Sequence, residues 1–184
     1  MPGKIKSGLG ALIGNAGEYY VVAELLKREV VAALAPRNAP GFDVLATKGG
    51  RTARIRVKTK SAEQKIWQWN ARKDGLIFRE LSPTHDDDFT VLVTLAEKRD
   101  EMSFYVVPTI VLESWLDEDF TTWLSTPGKR KPRDAKNNKK RHLSFPRWAA
   151  ALEQYREAWG LPWKVQNAAT PPTGGDDLPL GVPA

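Results

Sequence analysis

Three ionisable side chains, Glu18, Asp43 and Lys58, fall in an order that chemistry on a phosphodiester can use. Glu18 ends Asn15-Ala16-Gly17-Glu18 in a segment of helical apolar spacing. Asp43 follows Pro40-Gly41-Phe42 at the start of a candidate strand, and Lys58 lies in Ile55-Arg56-Val57-Lys58-Thr59 on the next one. Hydrolysis with a hard divalent cation needs carboxylates to hold the ion, a group to neutralise or activate the attacking water, and access to the phosphate. Two adjacent strands and a flanking helix can converge such groups. Each residue also has an ordinary use: Asp43 as turn chemistry after Pro-Gly, Lys58 as a solvated strand lysine, and Glu18 as a first-turn acid in the field of the helix dipole.

The elements that must position these groups can be read from periodicity. Val21, Val22, Leu25 and Leu26 recur at helical spacing, which predicts a first helix from Asn15 to about Arg28. Val30 to Leu34 is a short apolar run ending at Pro36, and Phe42, Val44 and Leu45 form a strand between turns. Over residues 52–59 Ala53, Ile55 and Val57 alternate with Arg54, Arg56 and Lys58, predicting one core face and one cationic face. Trp67 and Trp69 share a face of a short aromatic segment, where they either pack in the core or stack on bases. Phe89 to Leu95 and Phe104 to Val107 are two further strands, followed by an amphipathic helix from Ile110 to Trp123. Pro146 opens a last helix through Trp159, with Trp148, Tyr155 and Trp159 at core spacing.

Here a resemblance becomes specific. N-A-G-E on the first helix, P-G-F-D on a strand and I-R-V-K-T on the next resemble the PD-(D/E)XK nuclease superfamily, in particular bacterial relatives of Holliday-junction resolvases and restriction-type endonucleases. F-Y-V-V-P followed by a helix is similar to the end of that superfamily's small domains, so the likeness spans roughly residues 14–125. It implies a restriction-endonuclease-like α/β fold, a mixed central sheet flanked by helices. By the same resemblance Asp43 is the metal-binding carboxylate, Lys58 positions the water or stabilises the developing phosphorane charge, and Glu18 supports the metal. The Val57 carbonyl is a further ligand, Thr59 a phosphate contact, and the cofactor Mg²⁺ or Mn²⁺. Arg56 departs from the pattern, for the superfamily places a carboxylate or glutamine there and a guanidinium cannot coordinate a cation. Either Glu18 compensates, or the site is a degenerate phosphate-binding surface with Arg56 among its contacts.

Composition narrows the rest. The 184 residues suit one domain, taken as residues 15–165 after an N-terminal segment 1–14 and before a Pro- and Gly-rich tail, 166–184, expected to be disordered. No cysteine is present and there are two isolated histidines, so any metal must be held by oxygen. His85 belongs to a polar turn with Asp86, Asp87 and Asp88, and His142 has no identifiable partner. No apolar run approaches the ~18 residues of a membrane span, and a cytoplasmic protein is expected.

Lys129, Arg130, Lys131, Arg133, Lys136, Lys139, Lys140 and Arg141 face only Asp134 in a segment predicted to be a long loop, 129–141. That segment carries +7, which leaves the rest of the chain at −1. Such a run binds phosphate through counterion release, strongly salt-dependent and largely indifferent to sequence. Together with the resemblance, which implies metal-dependent hydrolysis and a homodimer where both strands are cut, this makes hydrolysis of DNA the expected activity, with DNA favoured over RNA. A non-cleaving DNA-binding or regulatory protein, and a module that meets an acidic protein partner, are the alternatives.

Overall fold

The computed structural model describes residues 9–36, 41–71, 77, 86–126 and 138–164. The first helix, α1, is Leu9–Leu26, starting six residues before the expected Asn15. It buries Gly17, Val21, Glu24 and Leu25, a stripe at i, i+4, i+7 and i+8 that lays one side of the helix on the sheet. Its end is set locally. Glu29 takes a left-handed φ of 60°, donates its N–H to Leu26, and lets Val30 donate to Leu25, so the chain reverses with Val30 tucked against the helix.

β1 (Val31–Leu34), β2 (Val44–Lys48) and β3 (Arg51–Ser61) form an antiparallel meander. Gly49 and Gly50, both at positive φ, make the two-residue turn between β2 and β3 that such a hairpin needs. β4 (Ile66–Asn70) leaves this sheet. β5 (Asp88–Leu95) returns parallel to β3, and β6 (Ser103–Pro108) runs antiparallel to β5. The result is a mixed five-stranded sheet in the order β1-β2-β3-β5-β6. α2 (Thr109–Ser125) follows Pro108 directly, and β7 (Lys140–Ser144) pairs with β4 in a second, two-stranded sheet before α3 (Phe145–Glu153). The expected architecture, a mixed central sheet flanked by helices, is the one found.

Two cores sit on the two faces of the sheet. Val21 and Leu25 of α1 meet Val44, Ala46, Ala53, Ile55, Phe89, Val91 and Val93 on one face. On the other, Trp67, Trp69 and Leu143 of the small sheet join Leu92, Tyr105, Leu112, Leu116 and Trp148.

This second core corrects several expectations. The cationic face of β3 is not open to solvent, because Arg56 is 9% exposed beside Asp88 and Lys60 5% exposed against Trp67 and Phe145. Residues 140–144 are a strand rather than the end of a loop. The last helix stops at Glu153, after which Arg156 bridges to Tyr105, so Tyr155 and Trp159 lie beyond it and pack into different cores. Trp67 and Trp69, by contrast, pack in the core, the first of the two uses expected for them.

Candidate functional site

Asp43 sits where β2 runs out. Its backbone is held from both sides: its N–H donates to the Ile55 carbonyl at 2.9 Å and its carbonyl accepts from Ala35 at 2.8 Å. The last β2–β3 pair is Val44 with Ile55, which leaves Val57 without a backbone partner on that side. The Asp43 side chain takes the missing strand's place, its Oδ2 accepting the Val57 N–H at 2.7 Å.

Arg54 donates its N–H to Asp87, just before β5, and Ala62 donates to Leu95 at its end, so the odd positions of β3 between them turn their peptide groups toward the β2 side. The Val57 carbonyl therefore points the same way as the N–H that Asp43 holds, past the end of β2. Among the described residues Asp43 Oδ1 takes no hydrogen bond. One carboxylate oxygen and one carbonyl oxygen are thus offered side by side.

Lys58 stands beside them, its Nζ 5.5 Å from the centre of the Trp69 ring. Burial pushes its ammonium below the ordinary lysine value, and the charge of Asp43 restores part of that. Burial likewise raises Asp43, against the Val57 hydrogen bond and the charges of Arg56 and Lys58. Each of the pair is a charge taken out of water with incomplete compensation, the condition that ligands and reacting groups relieve.

Arg56 points away from any cation-binding role. Its Nη1 lies 3.1 Å from Asp88 Oδ1, while Arg54 Nη2 lies 2.7 Å from Asp88 Oδ2. Asp88 is fully buried at the first position of β5 and so bridges two guanidinium groups two residues apart on β3. The polar turn expected around Asp86 to Asp88 therefore ends in a structural carboxylate; His85 lies outside the described residues.

Glu18 and Thr59 belong to the α1 face. Gly17 lies so close to β3 that a Cβ there would stand 1.9 Å from Thr59 Oγ1. Glu18, next in the helix, is half-buried beside this contact, two β3 residues beyond Val57. It is the tenth residue of α1, not a first-turn acid, which removes the helix-dipole role expected for it. Among the described residues no three His, Cys, Asp or Glu side chains cluster as a metal centre would require. The oxygens gathered at the end of β2 are those of Asp43 and the Val57 carbonyl, hard donors of the type Mg²⁺ takes, while Glu18 lies on the α1 face beside Thr59.

Of the basic run, Lys129, Arg130, Lys131, Arg133 and Lys136 lie outside the described residues. Lys139 precedes β7, Lys140 is exposed on it, and Arg141 is nearly buried with its guanidinium 3.3 Å over the Phe120 ring. His142, expected to lack a partner, has its Nε2 3.2 Å from Gln68 Oε1.

Sequence reasoning missed two further buried charges. Lys60 holds its Nζ 4.8 Å over Trp67 and 5.7 Å over Phe145, with burial pushing its ammonium down to about 8. Glu24 accepts from Arg28 at 2.6 Å and from Arg99. Burial pushes its carboxyl up, but Arg99 and Arg28 outweigh that and hold it at about 2. The signal for Glu24 was a charge inside the apolar stripe of α1.

The class this fold and site define is a mixed α/β domain with its polar residues gathered where adjacent strands end. Among solved structures the chain is similar to the bacterial homing endonuclease I-Ssp6803I, at 18% identity over 82% of this chain and 90% of that one, with a TM-score of 0.46. It is also similar to Hjc, a Holliday junction resolvase from the archaeal hyperthermophile Archaeoglobus fulgidus, at 15% identity over 72% and 91% of the two chains, with a TM-score of 0.40. Neither a protein-family model nor a curated protein sequence matches it.

Proposed function

We propose that the protein is a divalent-metal-dependent nuclease that hydrolyses DNA phosphodiesters at Asp43 and Lys58. The observation that carries this reading is the Asp43 carboxylate fastened by one oxygen to the Val57 N–H, on the side of β3 to which the Val57 carbonyl also turns. Asp43, that carbonyl and Glu18 are the groups to hold Mg²⁺ or Mn²⁺, which when bound supplies Lewis-acid polarisation of the phosphate. Asp43 is pre-positioned because its backbone is part of the sheet, so little freedom is lost on binding. Lys58, on the adjacent strand and poorly solvated, donates to the attacking water or to the charge that builds on the phosphoryl oxygens. The basic residues 129–141 add phosphate contacts that position the strand without reading its sequence, whereas Thr59, its Oγ1 buried against Gly17, is closed to the phosphate contact expected of it.

Incubation of the protein with duplex, branched and single-stranded DNA in Mg²⁺ or Mn²⁺ tests the proposal. Cleavage lost in Asp43→Ala is expected; no cleavage, or cleavage indifferent to that change, overturns it.

One observation favours a second reading. Arg56, buried and paired with Asp88 where the superfamily carries a metal-binding side chain, suits a DNA-binding protein that does not cleave. Calorimetry separates the two: Mn²⁺ binding dependent on Asp43 supports the nuclease. DNA binding that persists in EDTA, with no Mn²⁺ heat, supports the binder.

A further inference from the structure

A cleft of about 170 Å³ opens between the second half of α2 and the start of β7, lined by Asp119, Phe120, Trp123, Asn138, Lys140 and His142. It is roughly half the size of the smallest drug-sized pockets, room for a single planar ring system. Phe120 and Trp123, one turn apart on α2, lie nearly parallel, with ring centres 5.7 Å apart and planes 13° apart. Arg141 lies against Phe120, so this aromatic pair is fixed from the strand side.

The polar groups of the cleft are of two kinds. Asn138 accepts the Lys140 N–H through Oδ1 at 3.0 Å, which holds its amide at the cleft. Burial, and then the charge of Lys140, keep the His142 imidazole below its ordinary value despite the opposing pull of Asp119, so it is neutral at pH 7. Asn138 and His142 are therefore neutral donor-acceptor groups. Lys140 is an exposed ammonium at the end of the basic run.

The nearby acids of α2 are already answered. Asp119 accepts from Trp148 Nε1 at 3.0 Å and pairs with Arg147 at 3.0 Å, Glu118 pairs with Arg147 at 2.8 Å, and Asp117 acts on Arg141. Among the described residues that line the cleft the positive charge is Lys140.

Flat rings for a base plane, neutral amide and imidazole for a base edge, and an ammonium for the following phosphate form one chemical set. We infer that this cleft takes an unpaired nucleobase, so that the DNA recognised by the protein includes single-stranded or unpaired segments. This rests on the nucleic-acid reading above and adds a substrate class to it.

Anisotropy of a labelled oligothymidylate and of a blunt duplex of equal length, both in EDTA, tests the inference. Trp123→Leu keeps apolar bulk without a π face and should weaken single-strand binding roughly 5- to 150-fold, the range of one lost base stack, with duplex affinity unchanged. Trp123→Phe should retain most of it. Lys140→Gln, an exposed change that leaves the fold intact, should lower single-strand affinity and reduce its salt slope by about one.

Equal losses on both ligands with Trp123→Leu, or no loss with either Trp123→Leu or Lys140→Gln, would overturn the cleft assignment alone. Binding of neither ligand overturns the nucleic-acid reading with it. Trp123-dependent binding without Asp43-dependent cleavage leaves the cleft standing and removes the nuclease.

Discussion

The two faces of β3 solve burial in opposite ways. Toward α1, Ala53 and Ile55 are buried among Val21, Leu25 and Val44, a dry aliphatic contact that hydrophobic area alone explains. On the other face Lys58 and Lys60 lie against Trp69 and Trp67 of the small sheet, while Arg54 and Arg56 share the buried Asp88. The first arrangement holds the fold. The second stores unfavourable charge at the place where Asp43 and Lys58 are gathered, as stability is commonly traded for function.

The same contrast separates two carboxylates. Glu24 is held well below its ordinary range by Arg99 and Arg28, whereas Asp43 is raised by burial that its neighbours do not fully offset. The largest expected effect breaks this contrast at Asp43. Asp43→Asn keeps an oxygen for the Val57 N–H but removes the charge. Cleavage in Mg²⁺ is expected to fall by at least ~100-fold, as much as groups hydrogen-bonded to a metal ligand contribute, while thermal stability at pH 7 holds or rises. The sign follows from linkage: a raised carboxyl binds its proton more tightly in the folded state, so charging it costs stability as pH climbs, and the amide removes that cost. A matching loss of stability and activity would make Asp43 a structural aspartate.

Next comes Asp88. Removing it with Asp88→Ala leaves Arg54 and Arg56 without the carboxylate they share, and the loss should reach roughly 3–5 kcal/mol in urea unfolding, the range for one partner of a buried pair. A loss under ~1 kcal/mol would mean the pair is solvated and the cationic face open. Glu24 and Lys60 then sharpen the comparison with opposite signs. Glu24→Gln should destabilise by on the order of 3 kcal/mol at pH 7, less to the extent that Arg28 and Arg99 stand partly in water. Because Glu24 titrates near 2 when folded and near 4.5 otherwise, its stabilisation is complete above about 4.5 and is lost as pH falls toward about 2.

Lys60→Met should stabilise by a similar amount at pH 7. Lys60 titrates near 8 when folded against an ordinary 10.5, so the wild type should gain stability from pH 8 to 10.5 and the variant should not. Melting curves across that range check both.

What could be read in the sequence was what local spacing encodes. Asp43 and Lys58 come from neighbouring strands of one hairpin, and the alternation in β3 set the α1 face correctly. The cover on the other face was not legible, because it comes from pairing Trp67 with Leu143 and Trp69 with Arg141, segments far apart in the chain. No local pattern carries that register. Asp88 looked like turn chemistry for the same reason: its arginines lie on a strand reached only by the parallel return of β5. The start of α1 was misplaced because its first turns are glycine-rich and carry no acidic residue to mark them. That misplacement gave Glu18 a dipole role it does not have.

The smallest expected effect concerns the contact that places Glu18. Ala at position 17 would favour the helix by ~1 kcal/mol on propensity, yet its Cβ would stand 1.9 Å from Thr59 Oγ1 and 3.0 Å from Thr59 Cβ and Cγ2. Thr59 is on a central strand and cannot retreat without shifting β3, so Gly17→Ala should lose roughly 1–3 kcal/mol overall. Thr59 Oγ1 makes no hydrogen bond among the described residues, so Thr59→Ala alone should cost little. The double variant should then recover much of the loss, a coupling of roughly 0.5–3 kcal/mol in a double-mutant cycle. If α1 is displaced, Glu18 moves from its place beyond Val57, and cation affinity in Gly17→Ala should fall further than stability does. Additive single changes would mean that α1 does not press on β3 at this point, and Glu18 would lose its claim on the site.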